Sequence, residues 1–302
     1  MSEYHVPVML AECVAGLAIK ENGIYVDVTF GGGGHSHEIL KHLGADGRLL
    51  AFDQDADAKQ NAQQIDNRSF TFIEANFRYL KRYLKLHGVK QVDGILADLG
   101  ISSHQIDEPE RGFSTRAEAV LDMRMDQHAA LTARQVVNEY DETALHKLLG
   151  IYGEVKNAKT LAAAIVSERF SKPLETTADL LALLKELAPR GREFKYYAQV
   201  FQAIRMEVND EMGALEEFLN QSAEVLKPGG RLVVESYHSL EDRMVKNFIN
   251  KGKVFGEVEK DFFGNQLKPF KAINRKPITA SEEELKVNNR ARSAKLRIAE
   301  RL

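Results

Sequence analysis

The segment IYVDVTFGGGGHS (24–36) indicates the fold, because a strand-like apolar run leads directly into four consecutive glycines. Apolar runs of the same character follow at RLLAFD (48–53), FTFIEA (70–75) and DGILADLG (93–100), and the segments between them are helix-like. Such alternation is typical of βα units that build a parallel sheet. Because each run is rich in Val, Ile, Leu and Phe, we expect strands that are covered on both faces.

Two later segments are predicted to join the same sheet. RLVVESY (231–237) follows the turn signal KPGG (227–230) and has the apolar character of the early strands. AKLRIAE (294–300) is the predicted last strand. The sheet is therefore expected to take strands from both ends of the chain.

The middle of the chain carries helical patterns instead of strands. Examples are AKTLAAAIVSERF (158–170) and TADLLALLKELA (177–188), with Thr176 or Thr177 as the expected N-cap of the second helix and Pro189 as its end. A further helix is predicted over residues 207–226.

The resulting prediction is an α/β architecture with a mainly parallel sheet and an inserted domain. Residues 1–111 and 207–302 form the sheet domain, and residues 112–206 form a mainly helical insertion. Neither an internal repeat nor a low-complexity linker interrupts this organisation.

The composition is that of a folded globular protein. Of 302 residues, 44% are hydrophobic and 28% are charged, with 21 Gly and 7 Pro, which excludes collagen-like, low-complexity and disordered chains. No apolar run approaches the roughly 18 residues that a membrane span needs. The N-terminal MSEYHVPVML lacks the basic-then-apolar build of a signal peptide. We therefore expect a cytoplasmic protein with no membrane contact.

Cysteine and charge content exclude further classes. Cys13 is the only cysteine, so the chain forms no internal disulfide and no cysteine-built zinc or iron–sulfur site. The net charge of −3 argues against a protein that binds nucleic acid with its whole surface. Residues 243–302, however, carry 15 basic and 7 acidic side chains. This basic end indicates either a local contact with a polyanion or a solvated charged surface.

The glycine cluster Gly31–Gly34 lies at a strand-to-helix junction. Glycines there let the backbone approach a ligand, and the helix start offers free N–H groups, although a purely structural turn is the alternative. A Walker phosphate loop is excluded because no Gly-Lys-Ser/Thr follows. A dinucleotide fingerprint would have a third glycine at Ser36, which counts against a nicotinamide-dependent oxidoreductase.

Acidic side chains end the next strands. Asp53 follows Gly31 by 22 positions, where a carboxylate commonly accepts hydrogen bonds from ribose hydroxyls. Phe77, after the third run, is expected either to flank an adenine ring or to belong to the core. Asp98 closes the fourth run, at the strand end where open α/β sheets bind ligands. A carboxylate there suits an amine, which favours a methyl-donor nucleoside over NAD.

Nine motifs, in order along nearly the whole chain, carry a resemblance to a known family. They are HVPVML (5–10), DVTFGGGGHS (27–36), LADLGISSHQID (96–107), RGFS (111–114), LDMRMD (121–126), FQAIRMEVNDE (201–211), LKPGGRL (226–232), HSLEDR (238–243) and ARSAKLR (291–297). They resemble the bacterial small-subunit ribosomal RNA cytosine-N4 methyltransferase family of the MraW type. LDMRMD and HSLEDR are much more specific than any glycine loop.

The resemblance implies a class I methyltransferase, with a Rossmann-like sheet, that uses S-adenosylmethionine and recognises its substrate partly with the inserted domain. By matching position it assigns seven residues to the methyl donor: Gly33, Gly34, His35, Asp53, Phe77, Asp98 and Gln105. Gln105 rests on the resemblance alone.

The implied substrate is a specific cytidine in the decoding region of 16S rRNA, within the small ribosomal subunit. We expect Asp98 to accept a hydrogen bond from the exocyclic N4 amine, with Ser102 and Ser103 as secondary partners. The motif that DNA amine methyltransferases use at this strand end is absent from DLGIS. Cys13 is poorly placed for the attack that cytosine-C5 methylation needs, and we expect it to be buried.

Three further features concern a helix start, two departures from the family's motifs and candidate contacts with RNA phosphates. HSLEDR is expected to open a helix, with Ser239 as N-cap and Asp242 at N3, rather than to hold a metal. The family's Ser-Phe-His is Ser236-Tyr237-His238 here, and FKYYAQV (194–200) replaces a Pro-Ala-Thr/Lys-Arg-like stretch. The candidates for phosphate contacts are Arg111, Arg116, Lys195, Arg205, Arg290 and Arg292.

Two questions remain open at this point. A non-catalytic ribosome-assembly factor is an alternative to an enzyme, although Asp53 and Asp98 count against it. The oligomeric state is undetermined, with a homodimer as one alternative.

Overall fold

The computed structural model describes residues 7–302, so His5 and Val6 of the HVPVML motif lie outside the described residues. The chain separates into two compact units. The first comprises the described residues up to Gly100 together with Met212–Leu302, and the second is Ile101–Glu211. The second unit extends beyond the predicted insertion (112–206) at both ends. Its role in substrate recognition stays a prediction.

The first unit is built on a seven-stranded sheet. Its strands are β1 Ile24–Asp27, β2 Arg48–Asp53, β3 Phe70–Glu74, β4 Val92–Asp98, β5 Leu226–Ser236, β6 Phe270–Ala272 and β7 Lys295–Arg301. The strand order is β3-β2-β1-β4-β5-β7-β6. The first five strands are parallel, whereas β7 runs antiparallel to both β5 and β6. The predicted α/β architecture with a mainly parallel sheet is confirmed, and only the three-residue β6 had no counterpart in the prediction.

The KPGG turn is absorbed into β5. Pairing with β4 passes from Val92↔Leu226 directly to Gly94↔Arg231, so the four residues of KPGG bulge out of the ladder. Gly229 has φ +77, a left-handed conformation that glycine adopts without steric cost. After this bulge β5 is regular up to its carboxyl end.

Thirteen α-helices accompany the strands in the described part of the chain. They are α1 Leu10–Leu17, α2 Gly34–Lys41, α3 Ala56–Ala62, α4 Leu80–Leu86, α5 Ser103–Asp107, α6 Ala133–Glu139, α7 Glu142–Ile151, α8 Ala158–Ser171, α9 Thr177–Leu187, α10 Glu193–Val208, α11 Glu211–Val225, α12 Ser239–Lys251 and α13 Glu282–Val287. Thr176 caps α9 in a capping box with Asp179, and the helix ends just before Pro189, as predicted.

The prediction of one helix over 207–226 was wrong. The chain breaks between α10 and α11, and Asp210 adopts φ +45. The side chain of Asn209 accepts a hydrogen bond from the Met125 N–H and donates to the Met123 carbonyl, at 2.7 and 2.8 Å. Asn209 thus binds the LDMRMD segment instead of continuing the helix.

Both faces of the sheet are covered, as expected from the strand composition. Consecutive residues of one strand belong to different hydrophobic cores: Tyr25 and Val26 in β1, and Leu49 and Leu50 in β2. The second unit has its own core, formed mainly by helices. The sheet is therefore a rigid, buried support for the residues at the carboxyl ends of its parallel strands.

Candidate active site

The five parallel strands all bring a carboxyl group to the same edge of the sheet. Asp27, Asp53, Glu74 and Asp98 are the last residues of β1, β2, β3 and β4, and Glu235 is the last but one of β5. Parallel strands end on the same side, and open α/β sheets bind ligands at that side. The structure therefore brings Asp53 and Asp98 to the same edge of the sheet, where their roles toward a ligand stay predictions.

The glycine turn that follows β1 is required by the packing of the chain itself. Gly33 has φ +78, and a Cβ atom there would lie 2.7 Å from the Phe30 ring. A Cβ atom on Gly34 would collide with the Pro7 ring. α2 begins at Gly34, so the first turn of this helix, just after β1, has backbone N–H groups without intrahelical partners.

Ser36 stands where a dinucleotide fingerprint would have glycine, and its contacts explain the difference. Its hydroxyl donates a 2.7 Å hydrogen bond to Asp27 Oδ2, and both side chains are buried. Asp27 Oδ1 also accepts from the Thr29 N–H. The serine supplies a partner for a buried carboxyl group at the end of β1, which a glycine could not do.

Asp53 is held by backbone donors. One carboxyl oxygen accepts from the Gly31 N–H at 2.8 Å and the other from the Asp55 N–H at 2.9 Å. Burial raises the pKa of Asp53 to about 6. The group is thus ionised at neutral pH, and each oxygen keeps a lone pair for a ligand hydroxyl.

Asp98 lies between a histidine and a tyrosine. Its Oδ1 accepts a 2.8 Å hydrogen bond from the Tyr237 hydroxyl, and its Oδ2 is 3.9 Å from His35 Nδ1. Burial raises the pKa of Asp98, whereas His35 and Tyr237 oppose that rise. A quarter of the side chain remains exposed, so a ligand can reach it.

Glu235 pairs with Asp98 in the β4–β5 register and is fully buried. The Tyr237 hydroxyl is 3.0 Å from Glu235 Oε1 as well as 2.8 Å from Asp98 Oδ1. Because a tyrosine hydroxyl has only one proton, one of these two carboxyl groups must carry a proton of its own. Burial and the nearby Asp98 raise the pKa of Glu235 to about 10. Glu235 is therefore the neutral acid, and Asp98 is the acceptor.

The thiol of Cys13 contacts the other carboxyl oxygen of Glu235. Its thiol donates to Glu235 Oε2 at 3.6 Å, and the side chain is completely buried, as predicted. Burial raises the pKa of the Cys13 thiol well above its usual value. A protonated, buried thiol is a poor nucleophile, which excludes Cys13 from covalent chemistry in this state. We call Cys13, His35, Asp98, Glu235 and Tyr237 the acid cluster.

Phe77 follows β3 in a short 3-10 helix, Phe77–Tyr79. Its ring packs edge-to-face on Phe218 at 5.5 Å, while part of its surface stays accessible. Phe77 thus packs against the core and keeps part of its surface accessible. Its contact with adenine stays a prediction.

Three predicted residues lie in the second unit. Ser102 is the N-cap of α5 and accepts a hydrogen bond from the Gln105 N–H, while Gln105 Oε1 accepts from the Ser102 N–H. Gln105 is buried, and its amide oxygen serves this capping box. Ser103 is the first residue of α5. The predicted roles of Ser102, Ser103 and Gln105 toward ligands remain predictions.

The N-cap predicted for HSLEDR was wrong by one residue. His238, not Ser239, caps α12, and Glu241 rather than Asp242 occupies N3. Glu241 Oε2 accepts from the Tyr237 N–H at 2.9 Å, which fixes the backbone next to the acid cluster. A histidine ring nitrogen replaces the usual hydroxyl as the capping acceptor.

Several basic residues proposed for RNA contacts are occupied within the second unit. Arg205 forms a bidentate ion pair with Glu211 at 2.7 and 2.9 Å, and both side chains are nearly buried. Arg111 donates to the carbonyls of Arg124 and Met125. Tyr196 is only 4% exposed, so it cannot offer its ring to a base, whereas Lys195 is exposed.

The profile of the MraW methylase family matches residues 2–302. The chain belongs to the MraW methylase family. Together with the mainly parallel sheet, this membership confirms the predicted class I methyltransferase fold, and it contradicts the oxidoreductase alternative. In the described part of the chain no helix has the length and apolar character needed to cross a membrane.

Relatives within this family resemble the chain along its whole length. Proteins from Cytophaga hutchinsonii, Flavobacterium johnsoniae and Bacteroides thetaiotaomicron are 62%, 59% and 55% identical to it. Each match covers 99% of this chain, and 99%, 98% and 97% of the relative. All three carry the name Ribosomal RNA small subunit methyltransferase H.

A solved rRNA methylase from Streptococcus thermophilus is 13% identical to this chain. The match has a TM-score of 0.42 and covers 100% of this chain and 99% of that one. This likeness is too distant to add to the MraW assignment.

Sequence reasoning missed Glu235 and the role of Tyr237. The only signal was the tyrosine in place of phenylalanine before His238. An added hydroxyl in an otherwise apolar position requires a hydrogen-bond partner.

Proposed function

We propose that this protein is an S-adenosylmethionine-dependent methyltransferase that methylates the exocyclic N4 of a specific cytidine in the decoding region of 16S rRNA. The observation that carries the proposal is the partly exposed carboxyl group of Asp98 at the carboxyl end of β4, which accepts a hydrogen bond from Tyr237 within the acid cluster. Relatives that are 55–62% identical and are called small-subunit rRNA methyltransferases support the substrate class.

The chemistry of the site fits this methyl donor. Asp53 is an ionised acceptor suited to ribose hydroxyls, and Asp98 is a second acceptor suited to an ammonium group. The glycine turn Gly31–Gly34 follows β1, which lies between β2 and β4 in the sheet, and it leads into the first turn of α2. His35 at the start of α2, the partly accessible Phe77 and Gln105 complete the proposed set.

When it is bound, S-adenosylmethionine supplies an electrophilic methyl group on its sulfonium. The N4 lone pair of cytosine is delocalised into the ring, so the rate depends on holding the amine in line and on an acceptor for its proton. Asp98 is the acceptor in our proposal, and Ser102 and Ser103 are secondary partners. Tyr237 orients the Asp98 carboxylate by donating to Oδ1.

The neutral state of Glu235 helps Asp98 to act as the proton acceptor. A second ionised carboxylate directly beside Asp98 would raise its pKa further and lower the fraction that can accept a proton. With Glu235 protonated, Glu235 donates to Tyr237, and Tyr237 donates to Asp98. Asp98 is therefore the acceptor at the partly exposed end of this chain of hydrogen bonds.

The test is methyl transfer from labelled S-adenosylmethionine to small ribosomal subunits from cells that lack this protein. After digestion to nucleosides, mass spectrometry identifies the product. We expect labelled N4-methylcytidine with the wild type and with Asp46→Asn, an exposed carboxylate used as the matched control. Asp98→Ala should lower the rate by about 10²–10⁴-fold. Label on another atom or nucleoside, or no label on subunits or free RNA, would contradict the proposal.

A further inference from the structure

Five exposed apolar side chains fall within the segment 255–273, which runs from just after α12 to just after β6. Phe262 and Phe263 are 98% and 85% exposed, and Phe255, Leu267 and Ile273 are 67%, 54% and 47% exposed. Among the described residues these are five of fourteen exposed large hydrophobic side chains, although the segment 255–273 is a small part of the chain. Concentrated exposed apolar surface marks an interaction site rather than chance.

The two most exposed rings are displayed by an ordered hairpin, which we define as residues 259–267 and call the aromatic hairpin. Its ends are joined by a bridge between Lys260 and Gln266 and by a 2.8 Å hydrogen bond from the Leu267 N–H to the Glu259 carbonyl. The rings of Phe262 and Phe263 touch each other edge-to-face at 5.6 Å.

Asp261 fixes the tip of this hairpin. Its carboxylate accepts from the backbone N–H groups of Phe263 and Asn265, both at 2.8 Å, and from the Asn265 side chain at 2.9 Å. These hydrogen bonds lower the pKa of Asp261. Gly264 turns the chain with φ +85. A tip built in this way holds the phenylalanines in water before any partner arrives, so little ordering remains to be done on binding.

The surroundings of the aromatic hairpin are basic. Residues 251–276 contain seven lysines and arginines against three acidic residues. Among the described residues, none of the following five forms an ion pair: Lys260, Lys268, Lys271, Arg275 and Lys276. Exposed aromatics among unpaired cations match single-stranded RNA, whose bases stack on rings while its phosphates attract the cations.

We infer that the aromatic hairpin is an RNA-binding element, in which Phe262 and Phe263 stack on unpaired bases of the substrate RNA. This inference rests on the proposed function and deepens it by naming a surface that holds the substrate. A protein partner fits less well, because the centres of protein–protein interfaces are depleted in lysine. The hairpin belongs to the first unit, not to the insertion.

The test compares three double variants of the full-length protein at the same two positions. F262A/F263A removes the rings, F262L/F263L keeps apolar surface without an aromatic face, and F262Y/F263Y keeps the face. For each we would measure the Kd for an unmodified small-subunit rRNA transcript, KM and kcat on small subunits, and the Kd for S-adenosylmethionine. Because both rings are exposed, the thermal unfolding midpoints should stay close to that of the wild type.

Stacking predicts that the Ala and Leu variants raise the RNA Kd and KM by about 10–100-fold, while the Tyr variant stays within about threefold. kcat and the affinity for the methyl donor should not change. Wild-type values for the Ala variant, or for the Leu variant alone, would overturn the inference. So would a loss seen on subunits but not on naked RNA, which would indicate a ribosomal protein instead. If the wild type binds RNA through the hairpin but methylates nothing, the proposed function fails and this inference stands.

Discussion

The two halves of the carboxyl edge hold their carboxyl groups in different ways. At β1 and β2, Asp53 receives backbone N–H groups from residues 2 and 22 positions away. At β4 and β5, Asp98 and Glu235 share one hydroxyl from Tyr237, and Asp98 and Tyr237 are 139 positions apart. Backbone N–H groups do not titrate, so the donors that hold Asp53 are the same at every pH, whereas the second half must contain one neutral acid.

This difference suggests that the two halves have separate roles, one in binding the methyl donor and the other in the reaction. A fixed charge with fixed donors suits the tight, unchanging recognition of a methyl donor. A cluster that holds one proton beside one charge suits a reaction in which an amine loses a proton. Substitutions in one half at a time test whether the two halves have separate roles.

The largest effect is expected at Glu235, in the pH dependence of stability. Unfolded glutamate ionises near 4.5, whereas the folded carboxyl keeps its proton until its pKa of about 10. Because the pKa of Glu235 is higher in the folded than in the unfolded state, its contribution to the free energy of unfolding is fully present below pH 4.5. That contribution is lost as the pH rises from 4.5 toward 10. The side chain in Glu235→Gln is neutral at every pH. Between pH 5 and 8 the free energy of unfolding of this variant should therefore exceed that of the wild type by an increasing amount, on the order of 2–4 kcal/mol. Parallel denaturant unfolding curves for the two proteins would measure this, and a constant difference across pH would mean that Glu235 is ionised.

The next effect is expected at Asp53. Asp53→Asn removes a charged acceptor and should weaken binding of S-adenosylmethionine by about 10–100-fold, which calorimetry can measure. The rate at saturating methyl donor should remain close to that of the wild type, because Asp53 does not contact the acceptor base in our proposal. Unchanged affinity would remove Asp53 from the binding site.

A smaller change in rate is expected at Tyr237. Tyr237→Phe deletes the hydroxyl that lowers the pKa of Asp98, so that pKa should rise further. The acid limb of the pH–rate profile should then move to higher pH, with about a tenfold loss near neutrality that recovers as the pH increases. A purely structural role would lower the rate equally at every pH. Phenylalanine has the same ring and lacks only the hydroxyl, so the variant is expected to fold.

The smallest effect is expected at Cys13. Cys13→Ala should leave turnover within about twofold and cost about 1 kcal/mol of stability for the lost sulfur in a packed position. Loss of activity in a folded Cys13→Ala protein, measured by methyl transfer, would show that the thiol takes part in the reaction.

Much of the first half was predictable because its signals are local. The strand ending at Asp27, the glycines that follow it and the spacing to Asp53 lie within thirty positions and need no knowledge of the sheet order. Asp98 was predictable for the same reason, since it ends a clear apolar run.

The rest depends on contacts that are remote in sequence. Glu235 lies beside Asp98 only through the β4–β5 register, and its thiol partner Cys13 is 222 positions away. The end of α10 at Asn209 depends on Met123 and Met125, 86 and 84 positions earlier. No local pattern carries this information, because the partners are chosen by the fold.

The most direct test of these separate roles is to measure methyl-donor affinity and single-turnover methyl transfer side by side in Asp53→Asn and Tyr237→Phe. We predict that Asp53→Asn loses affinity at every pH but keeps its rate at saturation, and that Tyr237→Phe loses rate in a pH-dependent manner, with any loss of affinity confined to the low pH range in which Asp98 is protonated. If both variants lose affinity and rate together, at every pH, the two halves of the edge do not have separate roles.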